Sequence, residues 1–122
     1  MKHVLLIFAG GGLGSVARYL LGRWVSGFHQ INFPFGTLAV NVVACFILGV
    51  IVGFSEYKQA LSPDSRVFWA IGFCGGFSTF STFSYETVQL IHGQAIGSGV
   101  VYVLVSVVLC VGAVVMGMYL GK

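Results

Sequence analysis

Four apolar runs, Val4–Trp24, Phe35–Ser55, Asp64–His92 and Gln94–Leu120, take up nearly the whole chain, with only short links between them. A helix needs about 20 apolar residues to cross a bilayer, so each run is long enough to span one. In 122 residues they leave no room for a catalytic domain outside the membrane. Only 7% of residues are charged, against about 25% in soluble domains. The sequence therefore predicts an all-α integral membrane protein, a single membrane domain over residues 1–122 with four transmembrane helices. The first run starts like a signal peptide, but it holds Arg18 and has no small-residue cleavage site, so it reads as the first span.

The third run is not uniform. Gly72–Tyr85 reads Gly-Phe-Cys-Gly-Gly-Phe-Ser-Thr-Phe-Ser-Thr-Phe-Ser-Tyr. Each glycine weakens a helix by about 1 kcal/mol relative to alanine, and hydroxyls compete for backbone groups. This third helix is expected to break near residues 75–79. Broken backbone at bilayer depth is tolerated only where it is buried in protein or lines a polar cavity. The break is therefore where an ion or solute should meet the protein.

The other spans carry few polar side chains. Asn41 in the second span either hydrogen-bonds another helix or faces an aqueous path. Arg18, deeper than Arg23, either snorkels to the interface or draws anions into a vestibule. Glu86 is the one carboxylate well inside a span, a functional candidate by default. It lies about two turns from the loop at Gly93, which leaves an interfacial position open. Tyr102, Ser106 and Cys110 recur every fourth residue and make a weakly polar stripe on the fourth helix. Gly10 with Gly14, and Gly49 with Gly53, form small faces that let helices approach closely. Cys45, Cys74 and Cys110 lack metal-ligand spacing and read as small hydrophobes.

The net charge of +3 is scattered, so nucleic acid is not an expected partner. No nucleophile–base–orienter set is visible, and His3, His29 and His92 lie apart near span ends, so no catalytic residue is assigned. Four spans are too few to enclose much of a path, which points to an oligomer. Lys2, Lys58, Arg66 and Lys122 fall on one side, Arg18 and Arg23 toward the other. So weak a bias permits insertion in both orientations.

Phe80 and Phe83 share a helix face just after the break. They either pack a helix interface or present their positive ring edges to an anion. Carbonyls freed by the break suit a hard cation. Both fit one segment if the cation is fixed and the anion moves.

Three motifs carry a resemblance over essentially the whole chain. They are Gly-Gly-x-Leu-Gly-Ser-x-x-Arg-Tyr at Gly11–Tyr19, Gly-Thr-x-x-x-Asn at Gly36–Asn41, and Gly-Phe-x-Gly-Gly-Phe-Ser-Thr-Phe-Ser-Thr-Phe at Gly72–Phe83. With them the sequence resembles the Fluc (CrcB-type) fluoride channels of bacteria. The resemblance implies an antiparallel, dual-topology homodimer in the cytoplasmic (inner) membrane, multi-pass in the lipid bilayer, with two fluoride pores. It implies a central structural Na+ on the backbone carbonyls of Gly75 and Ser78 of each subunit. It also implies pore walls from Asn41, Phe80, Phe83, Ser81 and Thr82, a polar track of Tyr102, Ser106 and Cys110, and a pore-end place for Glu86. Ser78 stands where Thr is common and Cys110 where a hydroxyl is usual. The implied purpose is passive export of fluoride that entered as the neutral acid.

Two other readings differ in what they leave unexplained. Small multidrug-type exporters have similar length, but they resemble one another in a first-span Glu, and span one here has no acid. A non-conducting assembly subunit would account for the glycine faces and not for the hydroxyl-rich break.

Overall fold

A computed structural model describes residues 1–28 and 32–122. His29 lies outside the described residues. Among them the regular structure is entirely helical: α1 (Lys2–Ser26), α2 (Phe35–Glu56), α3 (Pro63–Arg66), a π-helical stretch (Val67–Phe73), α4 (Cys74–Phe77), α5 (Phe80–His92) and α6 (Ile96–Leu120). By length and composition, α1, α2 and α6 can each cross a membrane. The pieces from 63 to 92 form a fourth, bent span.

Local chemistry sets the span ends. Ser62 caps α3, its hydroxyl accepting from the Ser65 N–H at 3.2 Å, and Pro63 occupies the first turn, where no N–H is needed. Gln94 adopts φ 61°, a left-handed conformation that ends α5 and holds α6 back to Ile96. The fourth helix therefore starts two residues later than the expected Gln94.

The four spans pack as two parallel pairs. Along α1, Gly14 lies so close to the third span that a Cβ there would sit 2.2 Å from the Phe73 carbonyl oxygen. At the start of that pair Lys2 forms an ion pair with Asp64, and His3 Nε2 lies 3.3 Å from the same carboxylate. The second pair is α2 with α6, packed about as extensively as the first. It closes through Gly49, whose Cβ would lie 2.3 Å from the Val114 carbonyl oxygen, and through Gly117 against that of Phe46 at 2.4 Å.

Val40, Ala44 and Phe77 form the buried centre, packed by Ala17, Leu21, Ile47 and Phe73. It joins the two pairs beside the break. Most large apolar side chains elsewhere face outward, Leu104, Val108, Val111 and Val115 of α6 among them. In water such a surface would aggregate; in a bilayer it is the expected exterior.

Candidate functional site

The interruption falls at Ser78 and Thr79, between α4 and α5. Gly75 and Gly76 themselves are helical, so the break is narrower than the expected 75–79. Gly76 serves contact: a Cβ there would sit 2.3 Å from the Gly11 carbonyl oxygen. Before it, the π-helical turns of Val67–Phe73 widen the helix, the Cys74 N–H reaching back to the Trp69 carbonyl. Nothing in that apolar stretch signals a π turn.

Asn41 is what accommodates the break. Its Nδ2 donates to the Thr79 carbonyl at 3.0 Å, and its Oδ1 accepts from the Thr79 N–H at 2.8 Å. One side-chain amide thus pairs both backbone groups of an extended residue, as a neighbouring strand would. Thr79 in turn caps α5, its Oγ1 accepting from the Thr82 N–H at 3.2 Å. On the other side Ser78 turns its hydroxyl back to the Cys74 carbonyl at 2.9 Å. Because the Thr79 N–H goes to Asn41, the Gly75 carbonyl loses the donor a continuous helix would supply.

The two new helix ends carry opposite character. Carbonyls at the end of α4 carry partial negative charge, while the first turn of α5 leaves the Phe80 and Ser81 N–H groups without intrahelical acceptors. A cation and an anion are therefore favoured on opposite sides of one break.

Three openings meet there. The first, about 330 Å3, is lined by Asn41, Ser78, Phe80, Phe83, Ser106 and Cys110, among others. Phe80 is 78% exposed on its outer wall. The Phe83 ring packs at 5.0 Å from Tyr102 and 5.6 Å from Phe80, centroid to centroid. The Ser106 Oγ is buried and has no hydrogen-bond partner among the described residues. The second opening, about 390 Å3, lies across Asn41's helix and is lined by Arg18, Arg23, Thr37, Thr79 and Thr82. Arg18 reaches inward, Nη1 donating to the Ser78 carbonyl at 3.4 Å, so it does not snorkel. The third, about 150 Å3, holds Gly75 and Ser78 beside Cys45 and Cys74.

Glu86 is half-buried, with both carboxylate oxygens engaged. Thr37 donates to one at 2.7 Å, and the fully buried Tyr102 donates to the other at 2.8 Å. The stripe on α6 is thus divided: Tyr102 serves Glu86, while Ser106 and Cys110 face the 330 Å3 cavity. Ser81 is exposed, its hydroxyl 3.4 Å from that of Thr79. Thr37 and Thr79 were missed as site residues. Thr37 stands four residues before Asn41 in Gly-Thr-x-x-x-Asn, one turn along the same face, and that spacing was the available signal.

The family model described as "CrcB-like protein, Camphor Resistance (CrcB)" matches residues 5–118. The chain belongs to the CrcB family. A relative in Rhizobium meliloti is 46% identical over 98% of this chain and 96% of its own length. One in Phocaeicola vulgatus is 43% identical over 100% of both, and one in Agrobacterium fabrum 41% identical over 100% and 98%. Each is named a fluoride-specific ion channel FluC. In this CrcB-family chain the matched region takes in the whole break and every polar residue that surrounds it.

Proposed function

We propose that the protein is a fluoride-selective ion channel, not an enzyme, that lets cytoplasmic fluoride leave passively across the bacterial inner membrane. The 330 Å3 cavity carries this reading. It combines the unpartnered Ser106 hydroxyl, the Asn41 amide and the rings of Phe80 and Phe83 beside the N-terminus of α5. Donors and positive ring edges replace the water of a small anion, and among the described residues no carboxylate lines this cavity to repel it. Relatives named fluoride-specific ion channels support fluoride as that anion. Fluoride that enters as the neutral acid dissociates inside, and a negative-inside potential drives the anion out without ATP.

The working unit of this reading is an antiparallel homodimer with two pores, each walled by both chains. Phe80 at 78% exposed and the exposed Gly75 support it, because a pore wall and a cation ligand both need cover that one chain lacks. A structural Na+ fits the carbonyls present. That of Gly75 is freed by the break, and that of Ser78 keeps a lone pair beyond its long contact with Arg18. When bound, the ion supplies fixed positive charge; Asn41, Ser106 and the rings do the work of passing the anion. Thr82 and Arg18 feed the path from the second opening, Ser81 adds a hydroxyl beside that of Thr79, and Glu86 with Thr37 and Tyr102 forms its outer end.

Liposomes holding the purified protein are expected to release fluoride under a potassium gradient with valinomycin, and to retain chloride. Equal chloride release overturns the selectivity. In the same assay Phe80→Ile is expected to slow fluoride release about tenfold, the effect of about 1.4 kcal/mol on a barrier. Release at the original rate would make Phe80 a packing residue only.

A further inference from the structure

Parallel packing of α2 on α6 fixes a register with a chemical consequence. Gly49 abuts Val114, and Gly53, one turn on, abuts Met118. One turn before Gly49 stands Cys45, and one turn before Val114 stands Cys110. The glycine contacts bring the two backbones close together at this level. The same register puts the two thiols at one level of the α2–α6 contact. Both are free and half-buried, and both line the 330 Å3 cavity with Asn41 and Ser106 a turn away.

Thiolates select soft metal ions. Zinc in structural sites takes four ligands in a tetrahedron, which this cavity does not offer. Cys74 lines only the neighbouring opening, and no group of three or more His, Cys, Asp or Glu converges among the described residues. Two thiols lining one cavity at one level of the α2–α6 contact match the two-ligand preference of a soft d10 cation.

We propose that Cys45 and Cys110 form a two-thiol site for one soft d10 cation, the class of Hg2+, Ag+ and Cu+, inside the cavity. With Hg2+ each thiol releases its proton to solvent and each sulfur forms one bond to the metal. No electron is transferred, and the S–Hg–S unit is neutral, so it adds no charge at bilayer depth. Its consequence, a metal plug in the anion path, rests on the channel reading above; the site itself does not.

The test is titration of the purified full-length protein with HgCl2, read by native mass spectrometry and by the ultraviolet thiolate–mercury charge-transfer band. One mercury per chain is expected to bind with loss of two protons. Cys45→Ser and Cys110→Ser are each expected to weaken binding about a hundredfold, since the second thiol acts at high effective concentration. Cys74→Ser is expected to leave it unchanged. Cys45→Ala and Cys110→Ala repeat the measurement if a serine variant does not purify. Tight binding that survives loss of Cys110, or that disappears with Cys74, overturns the site. In liposomes Hg2+ is expected to stop fluoride release, dithiothreitol to restore it, and the double variant Cys45→Ser/Cys110→Ser to lose the metal sensitivity relative to its own basal rate. A protein that binds mercury as stated but passes no fluoride upholds the site and overturns the channel.

Discussion

Asn41→Ala is expected to destabilise the protein by about 2–4 kcal/mol and to abolish fluoride release. Two hydrogen bonds disappear at once, and both leave a backbone group of Thr79 unpaired at bilayer depth. Each buried group left unsatisfied costs about 1–3 kcal/mol, and water entering the cavity offsets part of that. Against a total stability of about 5–15 kcal/mol the loss is large. The Thr79 N–H would then be free to return to the Gly75 carbonyl, closing the break into continuous helix. Thermal unfolding in detergent measures the first effect and liposome flux the second. Asn41→Asp separates them. It keeps an acceptor for the Thr79 N–H, so it is expected to lose less stability, but it puts a carboxylate into the anion cavity and is expected to stop flux just as fully. An Asn41→Ala protein that melts with the original one and conducts would reduce Asn41 to a spectator.

Why Asn41 holds that place was only half legible in its residue type. A buried amide must pair with a helix or face a path, and sequence pattern leaves the two as alternatives. The structure has it do both, because the partner is backbone rather than side chain: Thr79, 38 residues away, opens its own hydrogen bonds to the amide and so opens the cavity beside it. The location of the break shows the same limit. Glycine propensity drew attention to Gly75–Gly76, yet propensity is a local quantity and Gly76 answers to Gly11 in another span. Glu86 illustrates the converse. Its depth along the chain allowed an interfacial place, and only the meeting of three helices, with Thr37 from α2 and Tyr102 from α6, turns its carboxylate inward. What was legible came from signals that need no partner: apolar length for α1, α2 and α6, a serine before a proline for the cap at Ser62, and hydroxyl density for the neighbourhood of the break. The π-helical stretch had no such signal, being an ordinary apolar run in composition.

The adjacent glycines give the sharpest contrast among substitutions. Gly76→Ala is expected to destabilise the protein by about 1–3 kcal/mol, the usual penalty for overpacking. Its methyl would sit 2.3 Å from the Gly11 carbonyl oxygen and 2.9 Å from the Gly11 Cα, both backbone atoms that no rotamer change can move aside. Helix α1 must then back away, loosening Arg18 from the Ser78 carbonyl. Gly75→Ala is the opposite case within one chain. Its methyl meets nothing within 4 Å, and alanine favours the helical turn by about 1 kcal/mol. A lone chain would therefore gain from alanine at 75 and lose from it at 76. Under the proposed assembly the sign at 75 reverses, because the exposed face beside the Gly75 carbonyl is where a second chain and a cation close in. Gly75→Ala is then expected to leave helix content intact while cross-linked dimer and fluoride flux both fall. Measured together by circular dichroism, dimer cross-linking and liposome release, the two variants separate packing inside the chain from packing between chains. A Gly75→Ala protein that dimerises and conducts as before would remove Gly75 from the cation site, and Gly76→Ala without a stability loss would contradict the close approach of α1.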